Sequence, residues 1–331
     1  MELGHFVDNG QTKAVQDEIL RKTQRIKELL KSERGQEYLG GCLKGKKIVA
    51  EFMQPSTRTR LKCEFAGERL GAKVKVLDEI AKTSMVKGEN WYNALLTFSE
   101  EGVDILAIRQ PKNFLPQGLA ALCDKHNFRP KIINLGDGNH LHPTQGLGDL
   151  FTIEEYHRKR FGREPLKIAI GADMKARAIH SLVMTLAKYP VELTLVSWQE
   201  PEFLMSDKYL QEFLKNNAAP IQTDKLTPGE KFDVIYWIRY QIEHAPKGRE
   251  EELQGEYNKN FRVTSEFMDT FLKEDGILLH PGPMTKEIDI RINSDPRMKY
   301  GEQLRNNRLV MMAIYLMMLK PDFYIPRLSE L

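Results

Sequence analysis

Eight short apolar runs, each rich in β-branched residues and separated from the next by room for a helix, constrain this chain more than any other feature. In order they are KKIVAEFM (46–53), AKVKVLD (72–78), VDILAIR (103–109), PKIINLGD (130–137), LKIAIGAD (166–173), VELTLVSW (191–198), FDVIYWIR (232–239) and GILLHPGP (276–283). Strands that alternate with helices pair in parallel through right-handed crossovers. Helical period fits 57–70, where Leu61, Phe65 and Leu70 fall near one face, and also 146–159, 176–189, 202–216 and 264–274. Further helices are expected at 12–33 and 302–320, the latter carrying LVMMAIYLMML, apolar enough to be buried with its methionines in a core. The polar stretch HRKRFGREP (157–165) separates two such series. The expected fold is α/β: two doubly wound domains, each a mostly parallel sheet flanked by helices, linked by interdomain helices. Residues 1–146 and 305–331 form one domain and 147–304 the other.

Charge excludes a broad class of partners. Lys+Arg number 49 against Asp+Glu 46, a formal net charge of +3, which is no footprint for general nucleic-acid binding. Cys42, Cys63 and Cys123 have no spacing that suits zinc or a disulfide framework and are read as structural. No run approaches the roughly 18 apolar residues of a membrane span, and the first twenty residues hold no signal-like apolar core. A soluble cytoplasmic protein is expected.

The polar residues that carry chemistry stand at strand ends, where ligands sit in such sheets. Ser56, Thr57, Arg58, Thr59 and Arg60 follow the first strand and open a helix. A helix N-terminus favours anions, and arginine adds forked donors that match phosphate oxygens. A serine or threonine cap alone does not explain arginine at alternate positions beside it. Arg109 closes the third run, and His142, Thr144 and Gln145 follow the fourth. In the second series Arg177 opens a helix, Arg239 and Gln241 close FDVIYWIRYQ, and His280, Pro281, Gly282 and Pro283 end a strand. Two guanidiniums and an amide suit a dicarboxylic amino acid, one guanidinium for each carboxylate.

Taken together, S-T-R-T-R at 56–60, R at 109, H-P-T-Q at 142–145, R-Y-Q at 239–241 and H-P-G-P at 280–283 resemble the aspartate carbamoyltransferase family, in order and spacing, across nearly the whole chain. The ornithine branch of the same superfamily carries instead an S-M-G loop and an H-C-L-P strand end. The resemblance implies transfer of the carbamoyl group of carbamoyl phosphate to the α-amine of L-aspartate, the step that gives N-carbamoyl-L-aspartate and phosphate in pyrimidine biosynthesis. It implies a carbamoyl-phosphate-binding domain first and an aspartate-binding domain second. By motif, Ser56, Thr57, Arg58 and Thr59, with Arg109, hold the phosphate; Thr59, Arg109 and His142 polarise the carbonyl; Gln145 binds the carbamoyl amine. Arg58, Thr59, Arg109 and His142 form the catalytic set, with His142 neutral because Arg109 disfavours imidazolium. Lys87, Arg177, Arg239, Gln241, Gly282 and Pro283 are the implied aspartate contacts. Ser84 and Lys87 also reach carbamoyl phosphate, from a loop of the adjacent subunit, so a homotrimer with shared active sites is implied. No metal or organic cofactor is called for, and no nucleic acid or membrane; a regulatory chain or a pathway enzyme is a compatible further partner.

Several positions depart from the family pattern. Gln54 stands where a glutamate is usual and His244 where an arginine is usual; in the family that pair bridges the domains on closure, so a weaker closed state and altered cooperativity are expected. The loop with Ser84 and Lys87 and the segment DMKARAIHS are each one residue short, and EQLRNNR departs from E-Q-x-x-N-G. The competing readings are a carbamoyltransferase for another amino acceptor and a non-catalytic relative that keeps the fold. A nicotinamide-dependent dehydrogenase is disfavoured, because IAIGADMKARA lacks G-x-G-x-x-G.

Overall fold

A computed structural model describes residues 3–78, 89–242, 245 and 247–331. The chain forms two compact units, residues 1–151 with 304–331, and residues 152–303.

In the first unit α1 (Lys13–Leu29) and α2 (Glu33–Gly41) precede the alternation β1 (Lys47–Phe52), α3 (Thr57–Glu68), β2 (Lys73–Leu77), α4 (Trp91–Glu100), β3 (Ile105–Gln110), α5 (Leu115–His126), β4 (Lys131–Asp137) and α6 (Pro143–Tyr156). The expected helix at 12–33 is α1, which ends at Leu29, and a second helix follows because Ser32 accepts a hydrogen bond from the Gly35 N–H at 3.0 Å and caps it. The strands lie parallel in the order β2-β1-β3-β4, so the direction of winding reverses between β1 and β3. Val49, Leu106 and Ile108 of the sheet pack with Leu95 of α4 and with Leu119 and Cys123 of α5.

Helix α3 is in a different rotational phase from the one its large apolar residues suggest. Leu61 and Phe65 are each 41% exposed, and the buried face carries Thr59, Lys62, Cys63, Ala66 and Gly67. The reason is close approach to the sheet: a Cβ on Gly67 would stand 2.5 Å from Val74 Cγ2 and 3.2 Å from Ile48 Cδ1. Small residues let the helix axis come in, and the bulky ones are left on the outer side.

The second unit runs β5 (Leu166–Gly171), α7 (Arg177–Leu186), β6 (Val191–Val196), α8 (Asp207–Leu214), β7 (Ile221–Thr223), β8 (Phe232–Trp237), α9 (Glu250–Asn260), α10 (Ser265–Phe271) and β9 (Leu272–Leu279). Its strands are parallel in the order β7-β6-β5-β8-β9, and the winding reverses between β5 and β8. Phe232, Ile235 and Trp237 pack with Leu253 and Tyr257 of α9 and Met268 of α10. The expected helix at 202–216 is a single 3-10 turn, Pro201–Phe203, followed by α8.

The last long helix, α11 (Tyr300–Leu319), enters the first unit at Leu304. Its Leu309–Met318 stretch is buried throughout, as its composition requires. No helix among the described residues is long and apolar enough to cross a membrane.

The tight seat of α3 is directly testable. Gly67→Val should destabilise the protein by about 1–3 kcal/mol, the usual penalty for overpacking, read as a lower urea midpoint at unchanged slope. Leu61→Ala, on the exposed side of the same helix, should move the midpoint far less.

Candidate active site

In the first unit the polar residues gather at the carboxyl ends of β1, β3 and β4, on both sides of the winding reversal. Ser56 is the N-cap of α3 in extended conformation, and its side chain makes no capping hydrogen bond. The first backbone i→i−4 bond of the helix is that of Arg60 N–H to Ser56 O at 3.1 Å. The amides of Thr57, Arg58 and Thr59 therefore open the helix with no place in its ladder, an arrangement that favours a bound anion. Arg58 is half-buried beside them, whereas Arg60 is engaged in an ion pair with Asp78 after β2.

Thr59 is buried and its Oγ1 lies 3.4 Å from His142 Nε2. His142 immediately precedes α6 and accepts, through its carbonyl, the N–H groups of Gln145 (2.9 Å) and Gly146 (3.2 Å). H-P-T-Q is therefore the start of a helix with Pro143 in its first position, where proline's missing N–H costs nothing; the helix begins three residues earlier than its apolar period suggests. Arg109 near the end of β3 is half-buried and donates from one guanidinium nitrogen to Leu135 O at 3.2 Å. Gln145 Nε2 donates to Asp149 Oδ1 at 2.7 Å, and Asn307 Nδ2 reaches the same oxygen at 3.4 Å. Thr59 and His142 thus meet directly, and Gln145 is held by a buried carboxylate.

Two buried ionisable groups here escape a reading by motif. Lys62, one turn after Thr59 on the same helix face, is 7% exposed and donates to Thr144 Oγ1 at 3.1 Å. Burial, aided by the Arg109 charge and opposed by Cys63 and Asp149, pulls its ammonium down to about 8. Glu51 lies on β1 two residues after Val49 on the same face, 4% exposed, with no hydrogen-bond partner for Oε2 among the described residues. Burial, reinforced by the Glu89 charge, pushes its carboxyl up to about 7. The only sequence signal for either is a charged residue at a position whose period faces inward.

In the second unit Arg177 is the first residue of α7, following β5, and Arg239 and Gln241 follow β8, so the pair flanks that sheet's winding reversal. Arg239 donates to Tyr240 O at 3.0 Å. Buried Asp173, not singled out by motif, ties the two loops together: its carboxylate accepts from Lys175 N at 3.0 Å and from Gln241 N at 3.0 Å. Gly282 N donates to His280 Nδ1 at 2.8 Å just after β9, with a cis bond leading into Pro283. His280 Nε2 in turn lies 3.0 Å from Glu287 Oε1. Burial pushes the Glu287 carboxyl up, but His280 and the Thr285 donors outweigh it and hold it below its usual value. Ser84, Lys87 and His244 lie outside the described residues. No cluster of three or more candidate metal ligands occurs among the described residues.

These two sites fit a known pair of domain models. Residues 5–155 match the carbamoyl-phosphate-binding domain of aspartate/ornithine carbamoyltransferases, and residues 164–318 match the aspartate/ornithine-binding domain of the same enzymes. The chain belongs to the aspartate/ornithine carbamoyltransferase family. Among its relatives, the aspartate carbamoyltransferase catalytic subunit of Aliarcobacter butzleri is 38% identical over 276 residues, 82% of this chain and 85% of that protein. The catalytic subunit of Thermococcus onnurineus is 35% identical over 301 residues, 89% of this chain and 90% of that protein. In three dimensions the catalytic subunit of M. jannaschii aspartate transcarbamoylase superposes with a TM-score of 0.80 at 29% identity, covering 97% of this chain and 99% of that one. The fold is also that of Trypanosoma cruzi aspartate transcarbamoylase in complex with carbamoyl phosphate and aspartate, with a TM-score of 0.81 at 23% identity over 95% and 96% of the two chains.

Glu51 gives a prediction with a definite sign. Its folded value lies above the unfolded one near 4.5, so its protonated form stabilises the fold at low pH and that contribution is lost as pH rises through about 7. Glu51→Gln should match the wild type in urea unfolding below about pH 4.5 and exceed it increasingly up to about pH 7, with the gap constant above that. A pH-independent gap would contradict the assignment.

Proposed function

We propose that this chain catalyses transfer of the carbamoyl group of carbamoyl phosphate to the α-amine of L-aspartate, giving N-carbamoyl-L-aspartate and phosphate, as a step of pyrimidine biosynthesis. The observation that carries this reading is the meeting of Thr59 Oγ1 and His142 Nε2, 3.4 Å apart, beside the open N-terminus of α3. The first unit would take carbamoyl phosphate: the amides and hydroxyls of Ser56, Thr57 and Thr59, with Arg58 and Arg109, receive the phosphate, and Gln145 receives the carbamoyl amine. Thr59, Arg109 and His142 converge on the carbonyl oxygen. The second unit would hold L-aspartate through Arg177, Arg239 and Gln241, with Gly282 and Pro283 shaping the turn beside it.

The nucleophile is the substrate's own amine, so no covalent enzyme intermediate is needed. The neutral amine attacks the carbamoyl carbon, a C–N bond forms, and negative charge develops on the former carbonyl oxygen. Donors already aimed at that oxygen stabilise the charge without reorganising, which is the principal source of rate in such reactions. The C–O bond to phosphate then breaks, and the departing phosphate takes the proton lost by the amine. Orientation supplies the remainder. Ser84 and Lys87 complete the site from the neighbouring subunit in this reading, which makes a cytoplasmic homotrimer the working unit.

Steady-state assays with carbamoyl phosphate and a panel of amino acids test the proposal. Aspartate should be the productive acceptor. Arg109→Ala should lower kcat by about a hundredfold or more, as expected for loss of an oxyanion donor. Arg239→Ala should act chiefly on the aspartate KM, by roughly tenfold or more for a lost charged hydrogen bond. Turnover of a different acceptor would overturn the assignment of the second unit and spare the first; no turnover with any acceptor would favour a non-catalytic role.

A further inference from the structure

We propose that Lys62 is a positioning residue for this reaction: acting through Thr144, it holds His142 in the neutral tautomer whose Nε2 carries the proton, directed with Thr59 toward the substrate carbonyl. The inference rests on the carbamoyl-transfer reading for its purpose, and on hydrogen-bond directions within the first unit for its content.

The argument turns on what each group is able to donate. An ammonium has three donor hydrogens and no acceptor, so in the 3.1 Å contact between Lys62 Nζ and Thr144 Oγ1 the hydroxyl oxygen must accept. Thr144 is fully buried, and among the described residues its hydroxyl has one other polar contact, His142 Nδ1 at 3.4 Å. The hydroxyl hydrogen therefore has Nδ1 as its acceptor. If Nδ1 itself bore a proton, a buried hydroxyl hydrogen would be left unpaired, which is a costly arrangement. Nδ1 is thus bare and the imidazole proton sits on Nε2, the nitrogen 3.4 Å from Thr59 Oγ1. Both contacts to the ring are long, as such bonds often are before substrate tightens them.

The same chain of donors rules out imidazolium, in which both ring nitrogens donate and the Thr144 hydrogen again finds no acceptor. Charge works in the same direction. The groups acting on Lys62 are Arg109 on β3, Asp149 on α6, the Cys63 thiol on its own helix, and the His142 ring reached through Thr144. The Lys62 ammonium, which reaches the ring through Thr144, disfavours a further positive charge on His142. A buried ammonium is costly to keep, and the close approach of α3 to its sheet is made at Gly67, with Cys63 and Ala66 buried on the same face, and has no need of one.

Deprotonation reverses the arrangement. Lys62 loses its proton near pH 8, and a neutral amine has a lone pair that accepts from Thr144. The Thr144 oxygen then becomes available to accept from a proton on Nδ1, and the tautomer is no longer fixed.

The test is 15N NMR of the full-length protein labelled at histidine, with the His142 signals identified by their loss in His142→Gln. At neutral pH the wild type should show a protonated Nε2 and a bare Nδ1, and Lys62→Met should show a mixture of tautomers. Its kcat should fall by about tenfold with little change in the carbamoyl phosphate KM. Thr144→Val should do the same, and the double variant should be no worse than either single one. The wild-type kcat should decline above about pH 8, and Lys62→Met should lack that decline. A wild-type His142 with its proton on Nδ1, or a tautomer unchanged in Lys62→Met, would overturn the proposal. Should Lys62→Met not fold, the wild-type signals suffice, since a tautomer that stays pure above pH 8 is equally contrary. Absence of carbamoyl transfer by the wild type would count against the function and leave the tautomer result to judge Lys62 by itself.

Discussion

The seat of α3 on its sheet sets the chemistry of the first unit. Because Gly67 lets the helix approach Val74 and Ile48 so closely, the N-terminus of that helix is fixed against the carboxyl end of β1. The amides of Thr57 through Thr59 then point out of the helix beside the winding reversal. A helix of ordinary packing distance would place the same residues farther from His142, which arrives independently from β4 and α6. Two helix N-termini, those of α3 and α6, supply polar groups to one place, and both favour negative charge there. For a reaction that binds a phosphate and develops an oxyanion, that is the field required.

Around this field the protein retains groups that weaken its fold. Lys62 and Glu51 are both buried, and both have their charged forms disfavoured by that burial. Asp149 is likewise fully buried, and holds Gln145 and Asn307. Buried polar groups of this kind are commonest where function selects them. In the second unit Asp173 does comparable work by joining the loop after β5, which leads into Arg177 at the start of α7, to the loop after β8, which bears Arg239. An outer layer of carboxylates thus holds the residues that would meet substrate.

Much of this was legible in the sequence, and what was not has physical causes. Most of the eight longer strands were visible because parallel strands buried on both faces are almost continuously apolar, whereas the edge strand β2 showed as valine alternating with exposed lysine. The three-residue edge strand β7 had no such run to betray it. Helix α9, with the sequence EEELQGEYNKN, buries only Leu253 and Tyr257 and so lacks a period strong enough to see. The phase of α3 is hidden because size is no guide to burial there: its large apolar residues face outward, and its buried face carries a cysteine, an alanine and a glycine. The residues proposed to meet substrate were legible as motifs, since those among the described residues follow strand ends in recognisable strings. Lys62, Glu51 and Asp173 were not, because their roles depend on neighbours from distant segments, which no local pattern encodes.

The most direct test of the central claim follows the atoms themselves. Purified protein is incubated with carbamoyl phosphate labelled with 13C at its carbonyl and aspartate labelled with 15N at its amine, and the product is observed by NMR. The account predicts a ureido carbon split by a one-bond coupling to the aspartate nitrogen, formed in step with phosphate release. Release of phosphate with the 13C label appearing only in hydrolysis products, or a ureido carbon bonded to some other nitrogen, would contradict it.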